Sequence, residues 1–333
     1  MRVFITGTAG FIGFHLARLL LDEGVCVGGY DGMTDYYDVS LKEARSTLLS
    51  AYPTYSESRG MLEDCAALDA AIDAFAPTVI VHLAAQAGVR YSLENPRAYI
   101  NGNLVGTFNV MEAALRHRVA HLLMASTSSV YGANTEMPFA ETHKADMPLT
   151  IYAASKKANE AMAHSYAHIH ALPTTMFRFF TVYGPWGRPD MAPIKFAKGL
   201  YSGTPIDIYN HGAMWRDFTY VEDLVRGIRG LIDAVPGGPD TAVDGDSLSP
   251  AAPYRVVNIG NSDKVRLLDF IEALETSSGK TALRNYMDMQ PGDVPATWAD
   301  ASLLHRLTGY RPNTPVTEGV ARFIAWYEEY YRP

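Results

Sequence analysis

The sequence predicts an α/β fold, a doubly wound parallel sheet followed by a smaller mixed lobe. Short β-branched runs alternate with apolar patterns at helical spacing through the first 180 residues. Glycines gather at the first strand-to-helix turn. After residue 180 the alternation loosens into proline-punctuated sequence. On this reading residues 1–180 form one domain and 181–333 a second lobe, with some chain crossing back to the first.

Val3 to Thr6 reads as a buried strand. Phe11 to Glu23 carries Phe11, Leu16, Leu19 and Leu20 on one helical stripe and stops before Gly24. Val25 to Tyr30 is a second strand. Ala66 to Phe75 reads as a helix, and Pro77 opens the strand Thr78 to His82. Tyr99 to His117 is a long helical pattern. His121 to Ala125 reads as a strand, Ala153 to His170 as a helix and Thr174 to Phe180 as a strand. Beyond that, Pro185, Pro189, Pro193 and Pro205 imply short helices and little sheet. Residues 235–253, rich in Gly, Pro and Asp, read as a solvated loop. A parallel sheet of this kind takes its ligands at the carboxyl ends of its strands.

Composition narrows the classes of function. With 28 Lys plus Arg against 36 Asp plus Glu, the net charge of −8 argues against a nucleic-acid or anionic-membrane binder. It leaves room for a local basic pocket. Cys26 and Cys65 form neither a redox nor a zinc spacing, and no histidine motif suggests a metal. No apolar run is long enough for a membrane helix, and the first residues lack a signal-peptide pattern. A cytoplasmic protein is expected.

Gly7, Gly10 and Gly13 form a G-x-x-G-x-x-G turn between the first strand and the first helix, the place of the dinucleotide turn of a Rossmann sheet. Glycine is needed where backbone turns tightly, meets pyrophosphate and packs helix on strand. The helix start, with the N–H groups of Phe11 and Ile12, then faces the phosphates. Asp31 closes the second strand, placed to accept from a ribose diol and to repel a 2′-phosphate, which favours NAD over NADP. A plain βα turn also uses glycines.

Tyr152 and Lys156 lie one turn apart on a predicted helix, and Thr127 stands just past the preceding strand. A tyrosine beside a lysine and a strand-end hydroxyl suits alcohol oxidation. The phenol, with an ordinary pKa of about 10, needs a nearby positive charge to serve as a base near neutrality. Lys156 is the candidate for supplying part of it and for holding the nicotinamide ribose. The spacing also arises by chance in a chain with 20 tyrosines. Here it coincides with the glycine turn and with Ser126 to Ser129.

The stretches TGTAGFIG (6–13), DYYDVSLKEAR (35–45), HLAAQAGVRYSLENP (82–96), ASTSSVYGAN (125–134), YAASKKANE (152–160), RFFTVYGPWGRPDM (178–191), YNHGAMWRDFTYVED (209–223) and YMDMQPGDVPATWAD (286–300) span nearly the whole chain. Together they resemble the extended short-chain dehydrogenases/reductases, in the nucleotide-sugar epimerase branch and nearest its UDP-glucuronate 4-epimerases. The resemblance implies a tightly held NAD used and regenerated in each turnover, and a UDP-sugar epimerised at C4 through a 4-keto intermediate. It implies that Tyr152 is the base, Lys156 its partner and Thr127 a donor to the C4 oxygen. Gly7, Gly10 and Gly13 would hold pyrophosphate and Asp31 the adenosine ribose, while Ala84 and Gln86 line the cofactor. Asn103 is expected on a loop-to-helix region near the phosphates. Thr181 would contact the UDP-sugar, Arg216 its diphosphate and Asp293 its uridine ribose.

Related dehydratases and decarboxylases carry carboxylates where this chain has Ser128 and Ser129, so elimination lacks its acid and base. Arg188 offers a planar fork for a C6 carboxylate, with Ser128 and Ser129 as further hydrogen-bond donors. The alternatives are a 4-epimerase of neutral or N-acetylated UDP-hexoses, a UDP-glucuronate decarboxylase, and a non-catalytic NAD-sensing protein.

The chain also departs from the family pattern. Met61 stands where relatives place an adenine-binding Asp, so adenine recognition falls to backbone and Leu62. Gln290 replaces an arginine, and Pro193 and Trp215 replace other side chains near the sugar. The helices 99–117 and 153–170 carry apolar outer stripes, and the family's habit is a homodimer built on them.

Overall fold

The structure, a computed structural model, describes residues 1–237 and 241–332; residues 238–240, inside the predicted loop 235–253, lie outside them. The elements run β1 (Arg2–Thr6), α1 (Phe11–Asp22), β2 (Cys26–Asp31), α2 (Val39–Ser50), β3 (Tyr55–Arg59), α3 (Cys65–Phe75), β4 (Val79–His82), α4 (Tyr91–Glu94), α5 (Pro96–Tyr99), a π-helical stretch (Ile100–Val105), α6 (Gly106–Arg116), β5 (His121–Thr127), α7 (Ile151–His170) and β6 (Thr174–Phe179). The second half contributes β7 (Thr181–Tyr183), α8 (Ala192–Ser202), β8 (Ile206–Tyr209), β9 (Trp215–Arg216), β10 (Phe218–Tyr220), α9 (Val221–Asp233), β11 (Tyr254–Ile259), β12 (Val265–Arg266), α10 (Leu267–Ser278), β13 (Arg284–Met287), β14 (Ala296–Thr297), α11 (Ser302–Thr308) and α12 (Val316–Tyr331).

Seven parallel strands form the central sheet in the order β11-β6-β5-β4-β1-β2-β3. The chain winds outward from β1 through β2 to β3, then restarts at β4 on the other side. The carboxyl ends of β1 and β4 therefore flank a switch point, where an open α/β sheet receives ligands. Side chains alternate across the sheet. Val3 and Ile5 pack with Phe14, Leu16 and Leu20 of α1 and with Leu224, Ile228 and Leu231 of α9. Phe4, Ile80, Leu122 and Met176 face the other layer, built by α3, α6 and α7. Each such side chain stabilises the fold by about 1.5–3 kcal/mol. The third core packs α8, α10 and α12. No helix among the described residues is long and apolar enough to cross a membrane.

The second half holds more sheet than its sequence suggests. β11 completes the main sheet beside β6, and the strands β7–β10 and β12–β14 form three further small sheets. The described residues of the segment 235–253 form no strand, but they are not solvated throughout. The buried pair Arg255–Asp246 (2.8 Å) anchors them, and His164 and His168 of α7 bond Ser249 Oγ and the Ala251 carbonyl.

Candidate active site

The first turn is glycine by necessity. Gly7 has φ +84°, and a Cβ there would sit 2.9 Å from the Ala84 nitrogen; a Cβ on Gly13 would sit 2.0 Å from the Gly7 carbonyl oxygen. No side chain caps α1, which leaves the first-turn N–H groups of Phe11 and Ile12 to an external acceptor. The buried Asp31 accepts from Ala9 N (3.0 Å) and Met33 N (2.8 Å), one bond to each oxygen. Each oxygen keeps lone-pair capacity for a diol.

Ala84 N donates to Thr6 Oγ1 (3.1 Å), which also meets His82 Nδ1 (2.8 Å). His82 is neutral, its pKa pushed down to about 3 by burial. Leu62 is buried, with its carbonyl taken by Asn109 Nδ2, while Met61 is exposed. Gln86 is framed by Asn103, whose side-chain oxygen accepts from Gln86 N (2.8 Å) and whose amide donates to Gln86 O and to Ser155 Oγ (3.0 Å each). Asn103 thus lies buried in the π-helical stretch that leads into α6, and its amide holds the Gln86 segment against α7.

The catalytic candidates do converge. Thr150 Oγ1 caps α7 by accepting from Ala153 N, so the helix begins just before Tyr152. Lys156 is buried one turn on; its Nζ donates to the Ala125 carbonyl (3.1 Å), and burial pulls its pKa down to about 8. Burial raises the Tyr152 phenol, while its bond with Thr127 and the charge of Arg188 lower it. Thr127 and Arg188 therefore act in the direction a base needs, against the larger effect of burial. Thr127 Oγ1 accepts from Ser129 N (3.2 Å), so Thr127, Ser128 and Ser129 form one turn at the end of β5.

Glu160, one turn beyond Lys156, escaped the sequence reading. Its carboxylate accepts from Ser126 Oγ (2.7 Å) and from Arg178 Nε and Nη2 (2.8 Å each). The pair is buried and bolts α7 to β5 and β6. A Lys-x-x-x-Glu spacing on one helix face was its only sequence signal.

Arg188, whose charge acts on Tyr152, is itself held by Asp190. Its Nε donates to Asp190 Oδ1 (3.0 Å) and its Nη2 to Oδ2 (2.6 Å). Thr181 N bonds the Asp217 carbonyl (3.0 Å). Arg216 is held through the Trp215 and Pro295 carbonyls, its pKa lowered by burial and supported by Asp293. Asp293 pairs with Arg90 (3.1 Å), which the sequence reading also missed and which stacks over Tyr209 at 4.1 Å. Trp215 meets Lys264, which lies between it and Trp298 at 4.6 and 4.5 Å.

The arrangement can bind a dinucleotide at the switch point and present a phenol, a hydroxyl and two cations to a polar ligand beside it. The family model described as "NAD dependent epimerase/dehydratase family" matches residues 3–260. A probable UDP-glucuronate 4-epimerase of Rhizobium meliloti (strain 1021) is 55% identical, covering 100% of this chain and 98% of that protein. UDP-glucuronate 4-epimerase 1 of Arabidopsis thaliana is 42% identical over 99% of this chain and 77% of its own. Among solved structures, the UDP-glucuronic acid 4-epimerase of Bacillus cereus, in complex with UDP-glucuronic acid and NAD, superposes with a TM-score of 0.89. It has 30% identity and covers 99% of this chain and 100% of that one.

Proposed function

The chain belongs to the NAD dependent epimerase/dehydratase family, and from that premise we propose that it interconverts UDP-glucuronate and UDP-galacturonate by reversible epimerisation at C4. The observation that carries this reading is the half-buried Tyr152 phenol with Thr127 and Arg188 acting on it, beside a turn where Ser128 and Ser129 replace the carboxylates an elimination would need.

The residues at the switch point fit NAD: the turn closes so tightly at Gly7 and Gly13 that side chains are excluded, α1 is uncapped, and Asp31 retains acceptor capacity. NAD bound there supplies the hydride acceptor that turns a C4 alcohol into a ketone and back. Gly7, Gly10, Gly13, Phe11 and Ile12 hold its pyrophosphate, Asp31 its adenosine ribose, and Leu62, Ala84 and Gln86 its flanks. Lys156, one donor spent on Ala125, offers the others to the nicotinamide ribose.

Tyr152 takes the C4 hydroxyl proton and returns it to the same oxygen after the sugar has turned over, so no net proton is consumed. Thr127 steadies that oxygen. Thr181, Arg216 and Asp293 hold the UDP portion, with Asn103 acting through the Gln86 segment. Arg188, Ser128 and Ser129 hold the C6 carboxylate. A 4-keto uronic acid is a β-keto acid, and polar contacts on its carboxylate disfavour loss of CO₂.

Residues 1–180, with β11, carry the cofactor, and 181–333 the UDP-sugar. Exposed Ile100, Val105, Phe108, Ile151 and Ile169 on adjacent helices support a homodimer through that face, testable by sedimentation of Phe108→Glu. The substrate class and the unpaired Cys26 and Cys65 support a cytoplasmic setting.

The test is incubation of the purified holoenzyme with UDP-glucuronate and no added NAD. A product of unchanged mass, absent with Tyr152→Phe, is expected. Release of CO₂ or an unimpaired Tyr152→Phe would overturn the assignment.

A further inference from the structure

The stretch 35–45 is as distinctive as any motif in the chain, yet none of the roles above uses it. In the structure it grips both ligand sites. Arg45, on α2, is fully buried, and among the described residues no carboxylate bonds it. Its acceptors are neutral: Ala9 O (2.7 Å), Tyr37 Oη (2.9 Å), Trp186 O (2.6 Å) and Gly187 O (3.3 Å), while its Nε has no partner. Where packing alone matters, an apolar side chain replaces such a cation without loss. What an apolar side chain cannot do is hold two backbone segments at once.

Those segments are the dinucleotide turn and the turn that carries Arg188. On the first, the Ala9 peptide is fixed from both sides, its N–H by Asp31 and its carbonyl by Arg45. On the second, Trp186 has φ +59°, a left-handed conformation that a bulky side chain adopts only when its surroundings impose it. Arg45 bonds the carbonyl of that strained residue. Four residues after Trp186, Asp190 Oδ2 accepts from Tyr36 Oη (3.3 Å), and the Arg188 guanidinium lies 5.7 Å from the Tyr36 ring. Asp190 occupies the Nε–Nη2 edge of Arg188 and leaves Nη1 without a bond among the described residues.

We infer that Arg45, Tyr37 and Tyr36 are positioning residues for carboxylate recognition: they lock the Trp186–Asp190 turn to the dinucleotide turn, so that Arg188 presents its outer edge at a fixed distance from the cofactor. The inference rests on the role of Arg188 proposed above. Arg45→Lys keeps the charge but cannot bridge both segments. Tyr36→Phe and Tyr37→Phe each delete one hydroxyl and leave the packing in place.

The test is calorimetric titration of UDP-glucuronate and UDP-glucose into NAD-loaded protein carrying Tyr152→Phe to prevent turnover. Arg45→Lys is expected to reduce the preference for UDP-glucuronate about tenfold, and each tyrosine variant about threefold, with UDP-glucose affinity held within about twofold. In an Arg188→Ala background the same substitutions are expected to leave the preference unchanged. Equal losses on both ligands, or undiminished effects without Arg188, would overturn the inference and reduce these residues to general stabilisers. Should Arg45→Lys fail to fold, the two tyrosine variants decide the question. If Arg188→Ala alone leaves the preference intact, the carboxylate role of Arg188 fails first and the positioning role falls with it; if Arg188→Ala abolishes the preference and the other variants do not move it, only the positioning role fails.

Discussion

Glu160→Gln removes one charge from the bolt between α7 and the sheet. Three of its four bonds come from groups with no access to water, Ser126 Oγ and two donors of Arg178; the fourth, from Lys157 at 3.1 Å, is half-open to solvent and replaceable. The substitution leaves the Arg178 guanidinium, whose side chain is 3% exposed, without a counter-charge. Its Nη1 already lacks a partner, and its contact with the Tyr131 ring at 4.6 Å offsets little. Breaking a buried pair from one side costs about 3–5 kcal/mol. At about 2.1 cal/mol/K per residue over 333 residues, that lowers the melting temperature by roughly 4–7 °C. Scanning calorimetry at one saturating NAD concentration is the measurement, because bound ligand shifts apparent stability. The double variant Glu160→Gln/Arg178→Met removes both charges and is expected to recover most of the loss. A single variant within about 1 kcal/mol of the parent, or a double variant that loses still more, contradicts the view that charge imbalance governs this site.

Arg188→Ala is expected to lower kcat/KM for UDP-glucuronate about 10- to 100-fold more than for UDP-glucose, the equivalent of one or two charge-assisted hydrogen bonds; equal losses rule out the carboxylate role. Gly13→Ala places a methyl group 2.0 Å from the Gly7 carbonyl oxygen, so the purified variant is expected to carry no NAD when its extracted nucleotide is assayed. Glu141 has its pKa raised from 4.5 to about 7 by burial. Between those values the unfolded chain releases a proton that the folded protein keeps, so stability falls as pH rises through that window and the cost persists above it. Glu141→Gln retains an acceptor for Asn258 N (2.8 Å) and is expected to be about 3 kcal/mol more stable than the parent at pH 8 but equal below about pH 4. Denaturant unfolding at the two pH values checks this, and a gain independent of pH refutes it.

Much of this molecule is written in local pattern. The strands β1, β4 and β5 are largely apolar runs buried on both faces, and the turn glycines and the Tyr152–Lys156 spacing are short-range features. Helix α2 has no such pattern, because its buried side carries Lys42, Arg45 and Ser46 beside Leu41 and Leu49. An amphipathic stripe cannot be seen where the inner face is charged. The π-helical stretch has no composition of its own; it follows from Asn103 turning inward to meet Gln86 and Ser155. Arg90 and Asp293 are separated by 203 positions, and no spacing rule connects them. The charge of Arg188 also lowers the Tyr152 phenol, and 36 positions of sequence between the two residues give no spacing that connects them.

The seventh strand sets a condition on how the protein is made. β11 pairs with β6 over Thr174–Phe179, but it lies beyond the whole of β7 to α9 in the chain. Until it emerges, one side of β6 is a bare row of N–H and C=O groups, open to any passing strand. At 5–20 residues per second, the ribosome leaves that edge uncovered for on the order of ten seconds. A fragment cut near residue 180 keeps the bare edge for good, so separating the cofactor half is expected to yield a self-associating sheet and not a free-standing module.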